Sequence, residues 1–130
     1  QMCIRDSIYS LRRMLDPIKE HVDNNFNPLP TEYINEFMPI RQKINDLMKM
    51  SCEQIETSRY ENYREILAEA DACKDELSVI RKKHIDRLQN MKDNTLMQIS
   101  LVYLNVLQES QEFLSVMRHQ LRAAKKFMEN

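Results

Sequence analysis

Apolar side chains recur along this chain in alternating steps of three and four, the spacing that lines them up on one face of a helix. Four such stretches can be read. The first runs from about Ile4 to His21, with Ile4, Ile8, Leu11, Leu15, Ile18 and Val22 as its seam, and Pro17 inside it predicts a bend or a shifted end. The second starts at Thr31, an N-cap residue followed by Glu32 at the positive end of the helix dipole. Its seam is Phe37, Ile40, Ile44, Leu47, Ser51 and Ile55, with Pro39 inside. The third opens on Ser58-Arg59-Tyr60-Glu61, which has capping-box spacing. Tyr63, Ile66, Ala70, Cys73, Leu77, Ile80, His84 and Leu88 follow as its seam. The fourth carries Leu96, Ile99, Tyr103, Val106, Ser110, Phe113, Met117, Leu121 and Ala124.

Two breaks separate these stretches most clearly. Asn24-Asn25-Phe26-Asn27-Pro28-Leu29-Pro30 reads as a linker, in which asparagine can take the left-handed cap usually given to glycine. Lys92-Asp93-Asn94 reads as the last bend. At about 1.5 Å per residue the last two helices would each be about 50 Å long, and the first only about 30 Å. That mismatch, and a start on Gln rather than Met, lead us to expect a fragment of a longer protein. The opening residues 1–7 also resemble an adapter-derived string that begins many assembled environmental sequences; on that reading they are not native.

Composition sharpens the helical reading. The 130 residues contain no glycine, where average usage of roughly 7% would place about nine. Without glycine the usual tight hairpins, phosphate-cradling loops and nucleophile elbows lose their building block. The expected fold is therefore all-α: an antiparallel up-down bundle of three to four long helices, forming a single domain over residues 1–130. Nine methionines and no tryptophan suit a helix-on-helix core. A net charge of −1 argues against a dedicated nucleic-acid binder. No apolar run approaches the roughly 20 residues of a membrane-spanning helix. Cys3, Cys52 and Cys73 form neither a disulfide framework nor a CxxC pair, which points to a reducing compartment.

Candidate chemistry is sparse. Asp71 and Asp75, like Glu65 and Glu69, lie four apart on one helical face. Such pairs could hold a hard cation, but the wheel turns the aspartates outward, and a solvated acidic face beside Lys74 is the plainer reading. His84 lies on the seam with no cysteine or carboxylate partner at zinc spacing, which reads as a buried or boundary histidine. His21 and His119 read as surface residues. No serine has a nucleophile signature and the acids do not converge, so neither catalysis nor a cofactor is expected.

Two features go further. Met97, Leu101 and Leu104 make a second apolar stripe on the fourth helix, opposite its seam. Either neighbouring helices of the bundle cover it, or it is a contact with another domain or subunit. Arg118, Arg122, Lys125 and Lys126 crowd the final turns, where cations favour the helix dipole. In an up-down bundle this end also gathers Arg12, Arg13, Arg59 and Arg64, an arrangement suited to a nearby anionic membrane surface.

Three segments carry a family resemblance. Asp75-Glu76-Leu77-Ser78-Val79-Ile80-Arg81-Lys82-Lys83-His84-Ile85 resembles the middle helix of PhoU-like domains at the C-terminus of bacterial sodium-dependent phosphate symporters. Leu101-Val102-Tyr103-Leu104-Asn105-Val106-Leu107-Gln108-Glu109-Ser110 is similar to that family's final helix, and Asp6-Ser7-Ile8-Tyr9-Ser10-Leu11 to its Asp-Ser-x-Tyr opening. The resemblance implies a helical bundle on the cytoplasmic side of the inner membrane, behind a transporter region in the same longer chain. Its implied role is non-enzymatic: modulation of phosphate uptake by protein-protein contact, with a homodimer and the membrane surface as further partners. The family's Glu-x-x-x-Asp metal motifs are degraded here. Gln108 and Glu112 occupy the final-helix positions, Gln111 replaces the glycine, and Asp6 matches while Met2 stands for its glutamate. Gln108 removes a charged ligand, so no metal centre is expected. The alternative to the symporter reading is a free-standing helical scaffold that binds a partner protein through its apolar and basic faces.

Overall fold

The computed structural model describes Arg13 and residues 29–129. Among these residues the fold is all-helical, with α1 at Thr31–Thr57, α2 at Tyr63–Gln89 and α3 at Asn94–Glu129. Apart from Arg13, the first of the four expected stretches, with Pro17, Asp6 and Arg12, lies outside the described residues. Arg13 is helical and exposed.

The ends of the helices correct two expectations. Thr31 is the first residue of α1 and not its cap: Pro30 holds the capping position at φ −52° and ψ 141°, with no side-chain cap. The Pro30 carbonyl instead accepts the amides of Tyr33 and Ile34 at 2.9 and 3.2 Å. Ser58 does not open the next helix. It sits just past the end of α1 in the left-handed conformation, at φ 54° and ψ 29°. Its amide donates to the Ile55 carbonyl at 3.4 Å and that of Arg59 to Gln54 at 3.2 Å, the paired bonds of a Schellman ending, in which glycine is the usual left-handed residue. α2 consequently starts later, after Asn62, and is 27 residues long, about 40 Å rather than the expected 50 Å. The last bend lies where expected. Asp93 caps α3, its Oδ1 accepting the amides of Thr95 and Leu96 at 2.9 and 3.3 Å. Pro39 is exposed, and α1 runs on through it.

Cross-links fix the topology. Glu36 meets Arg87 and Lys43 meets Glu76, so α1 and α2 are antiparallel. His84 meets the Ser100 carbonyl, Ser78 meets Gln111 and Asp71 meets Arg118, so α2 and α3 are antiparallel too. Tyr33 contacts Ser100 and Phe37 contacts Tyr103, so α1 and α3 run in the same direction. The bundle is up-down-up. Its core follows the predicted seams: Phe37, Ile40, Ile44, Leu47, Ser51 and Ile55 of α1 are all buried, as are Ile66, Ala70, Cys73, Leu77 and His84 of α2. On α3, Tyr103, Val106, Ser110, Phe113, Met117 and Leu121 are buried, and Leu107 and Leu114 widen the buried arc. A helix that packs on two neighbours needs such a broad apolar face.

Candidate functional site

A cluster of polar and aromatic side chains from all three helices meets at one end, where α1 begins, α2 ends and α3 begins, while Ser51, Gln54 and Ser110 are buried elsewhere in the bundle. Helix periodicity explains who meets there. Tyr33 and Glu36 are one turn apart on α1, His84 and Arg87 one turn apart on α2, and Ser100 and Tyr103 one turn apart on α3. Each helix thus contributes two neighbouring side chains to the same level of the bundle.

Glu36 is the acceptor of this joint. Arg87 Nη2 donates to both of its carboxylate oxygens at 2.8 Å, and Tyr103 Oη donates to Oε1 at 2.8 Å. Lys83 Nζ lies 3.8 Å away, and Glu32 stands 3.9 Å from Arg87 Nη1. The Arg87 guanidinium also covers the Tyr33 ring, 4.8 Å from its centroid. Tyr33 and Tyr103 stack at 4.8 Å and 7°, and His84 meets both edge-on at 4.8 Å. The Tyr33 hydroxyl shares a hydrogen bond of 2.9 Å with Ser100 Oγ. His84 Nε2 lies 2.7 Å from the Ser100 carbonyl oxygen, which can only accept, so this nitrogen carries the ring proton. Burial, and then the Glu36 carboxylate, push the Tyr103 phenol well above its usual range, which keeps it a donor. Burial pulls His84 below the usual histidine value, against the Ser100 carbonyl that favours the charged ring.

The sequence-predicted site residues lie elsewhere. Leu101 is 48% exposed, while Met97 and Leu104 of the same stripe are half-buried. Of the basic cluster, Arg118 donates to Asp71 Oδ2 at 2.9 Å, with its side chain only 15% exposed. Lys125 pairs with Glu129 and lies 5.0 Å from the Tyr63 ring centroid. Arg122 and Lys126 are exposed. Asp71 and Asp75 are both exposed as expected, but the cation beside Asp71 is Arg118 of α3 and not the adjacent Lys74. Gln108 and Glu112 face solvent, and Gln111 Nε2 donates to Ser78 Oγ at 2.8 Å and to the Lys74 carbonyl at 3.2 Å. No group of three or more histidine, cysteine or acidic side chains among the described residues is placed to hold a metal ion. A cleft of about 260 Å³ between α1 and α2 is lined by Lys43, Asp46, Leu47, Glu69, Ala72 and Cys73. The Cys73 thiol there is pushed up to about 11, by burial first and then by Glu76, so it stays protonated and unreactive at neutral pH.

Tyr33, Glu36, Arg87 and Ser100 escaped the sequence reading. The available signal was the repeated i, i+3 pairing of a ring with a polar group, Tyr33 with Glu36 and His84 with Arg87. Compared with models of known families, with curated proteins and with solved structures, the chain matches none of them.

Proposed function

We propose that this chain is the non-enzymatic, PhoU-like regulatory domain of a sodium-dependent phosphate symporter, acting by contact with the transporter's membrane region on the cytoplasmic side of the inner membrane. One observation carries the reading. The two segments with the strongest family resemblance, Asp75 to Ile85 and Leu101 to Ser110, lie on α2 and α3 and pack on each other. Leu77, His84, Tyr103, Val106, Leu107 and Ser110 are their buried members, and His84 touches the Tyr103 ring. The resembling residues are therefore one packed unit and not scattered matches.

The apolar stripe fits a contact role. An apolar side chain left 48% exposed, as Leu101 is, gains from being covered, at roughly 25 cal/mol per Å² of apolar surface removed from water. The transporter region, or a second copy of the domain, would cover it. The basic end supports a membrane-facing role more weakly than its sequence did, because Arg118 and Lys125 are engaged within the domain and Arg122 and Lys126 remain exposed. The rival scaffold reading shares the stripe but needs no transporter. Extending the reading frame upstream of Gln1 separates them: several apolar runs of about 20 residues are expected, and a start codon close by would sink the symporter reading. For the contact itself, Leu101→Gln with Leu104→Gln should weaken self-association or docking while the domain stays folded. A collapse of stability would make the stripe ordinary core.

A further inference from the structure

His84 sits where all three described helices meet. Its side chain is fully buried, and its Nε2 proton is given to the Ser100 carbonyl. Nδ1 therefore holds a bare lone pair, buried and without a hydrogen-bond partner. The surrounding charges are already balanced. From α1 come the carboxylates Glu32 and Glu36, and from α2 the cations Lys83 and Arg87, paired with them across the helix interface. From α3 the ring is faced by Tyr103 and the Ser100 carbonyl, and from α1 also by Tyr33. Two negative and two positive charges cancel. A proton on Nδ1 would add a third positive charge with no counter-charge, and a buried donor with no acceptor.

We propose that His84 is a proton-operated latch, in which protonation of Nδ1 loosens the joint that holds the starts of α1 and α3 on the end of α2. The inference is independent of what the domain binds. Its direction follows from linkage. The unfolded chain takes up a proton at His84 near 6.5, and the folded chain only at lower pH, because burial opposes the charged ring. Between those two points the unfolded or loosened state binds more protons, so acid favours it. The joint is at full strength above about pH 6.5 and weakens as the pH falls below it.

Urea unfolding of the full chain at pH 7.5 and 5.5, with and without His84→Gln, tests this. Glutamine can still donate to the Ser100 carbonyl but does not titrate. The unfolding equilibrium constant of the unchanged chain is expected to rise several-fold at pH 5.5. Its ceiling is about tenfold, set by one pH unit below 6.5. That of His84→Gln should stay within about twofold once measured the same way. An equal response in the variant would assign the effect to His21, His119 or the carboxylates and overturn the latch, as would a flat response in the unchanged chain. Should His84→Gln not fold, the unchanged chain decides by NMR. A His84 ring midpoint below 6.5, with amide exchange quickening at Tyr33 to Phe37 and Ser100 to Tyr103 as the pH falls, supports the latch. A midpoint at or above 6.5 overturns it.

Discussion

The two ends of the bundle are held by different physics. At the end where α1 and α3 begin, Tyr33, Glu36, His84, Arg87, Ser100 and Tyr103 are tied by directional bonds and ring contacts. Toward the opposite end Ile55, Ile66, Leu114, Met117 and Leu121 are fully buried apolar side chains, which need only fill space; Ser51 and Gln54 are buried near them, and the Arg118–Asp71 pair lies at the surface. Apolar packing supplies the larger share of stability, but it tolerates alternative arrangements of similar volume. A carboxylate that accepts from both Arg87 Nη2 and the Tyr103 hydroxyl allows few. Sliding α1 by one turn against α2 would keep most apolar contact and leave the half-buried Arg87 without Glu36. The polar end sets register, and the apolar end makes the registered state stable.

That division can be broken by substitution. The largest loss should come from the apolar side: Leu121→Ala, or Leu77→Ala in the middle of α2, should destabilise by about 2–5 kcal/mol in urea unfolding, since both are fully buried. A loss under roughly 0.5 kcal/mol would mean that these side chains are not core. Next is Glu36→Gln, which removes the carboxylate that accepts from Arg87 Nη2 and Tyr103 Oη. Glu36 and Arg87 side chains are 15% and 17% exposed, so the loss should be about 1–3 kcal/mol and smaller than for a fully sealed pair. The variant should also lose chemical-shift dispersion at Tyr33 and Tyr103. If it were destabilised yet as uniquely packed as before, the polar end would not set register. The smallest effect belongs to the exposed link between α2 and α3. Asp71 is 54% exposed, and Asp71→Asn should change stability by less than about 0.5 kcal/mol.

The helical interior was legible because the steps of three and four located the buried residues from Phe37 to Ile55 and from Ile66 to His84, although on α1 they missed Tyr33 before the seam and Cys52 and Gln54 beside it. On α3 the same rule missed Leu107 and Leu114, because a helix covered on two sides buries a broader arc than one seam describes. The start of α2 was misplaced because Ser-x-x-Glu spacing cannot distinguish a helix opening from the residue that closes the helix before it. The polar joint was half legible. His84 stood out as a histidine on an apolar face, whereas Glu36 and Arg87 look like any solvated charges. They are 51 residues apart, and only the packing of α1 on α2 joins them.

The turn after α1 has a consequence for engineering. Ser58 holds a left-handed backbone at φ 54° in a chain without glycine. That conformation costs a residue with a Cβ roughly 1–2 kcal/mol. Glycine would relieve it, while the added freedom of the unfolded chain would return about 0.4–1 kcal/mol of the gain. The balance favours Ser58→Gly by on the order of 0.5–1 kcal/mol. Inside the helices, glycine should instead destabilise by about 1 kcal/mol per exposed site. The residue type that this chain excludes throughout is thus the one that would improve its α1–α2 turn.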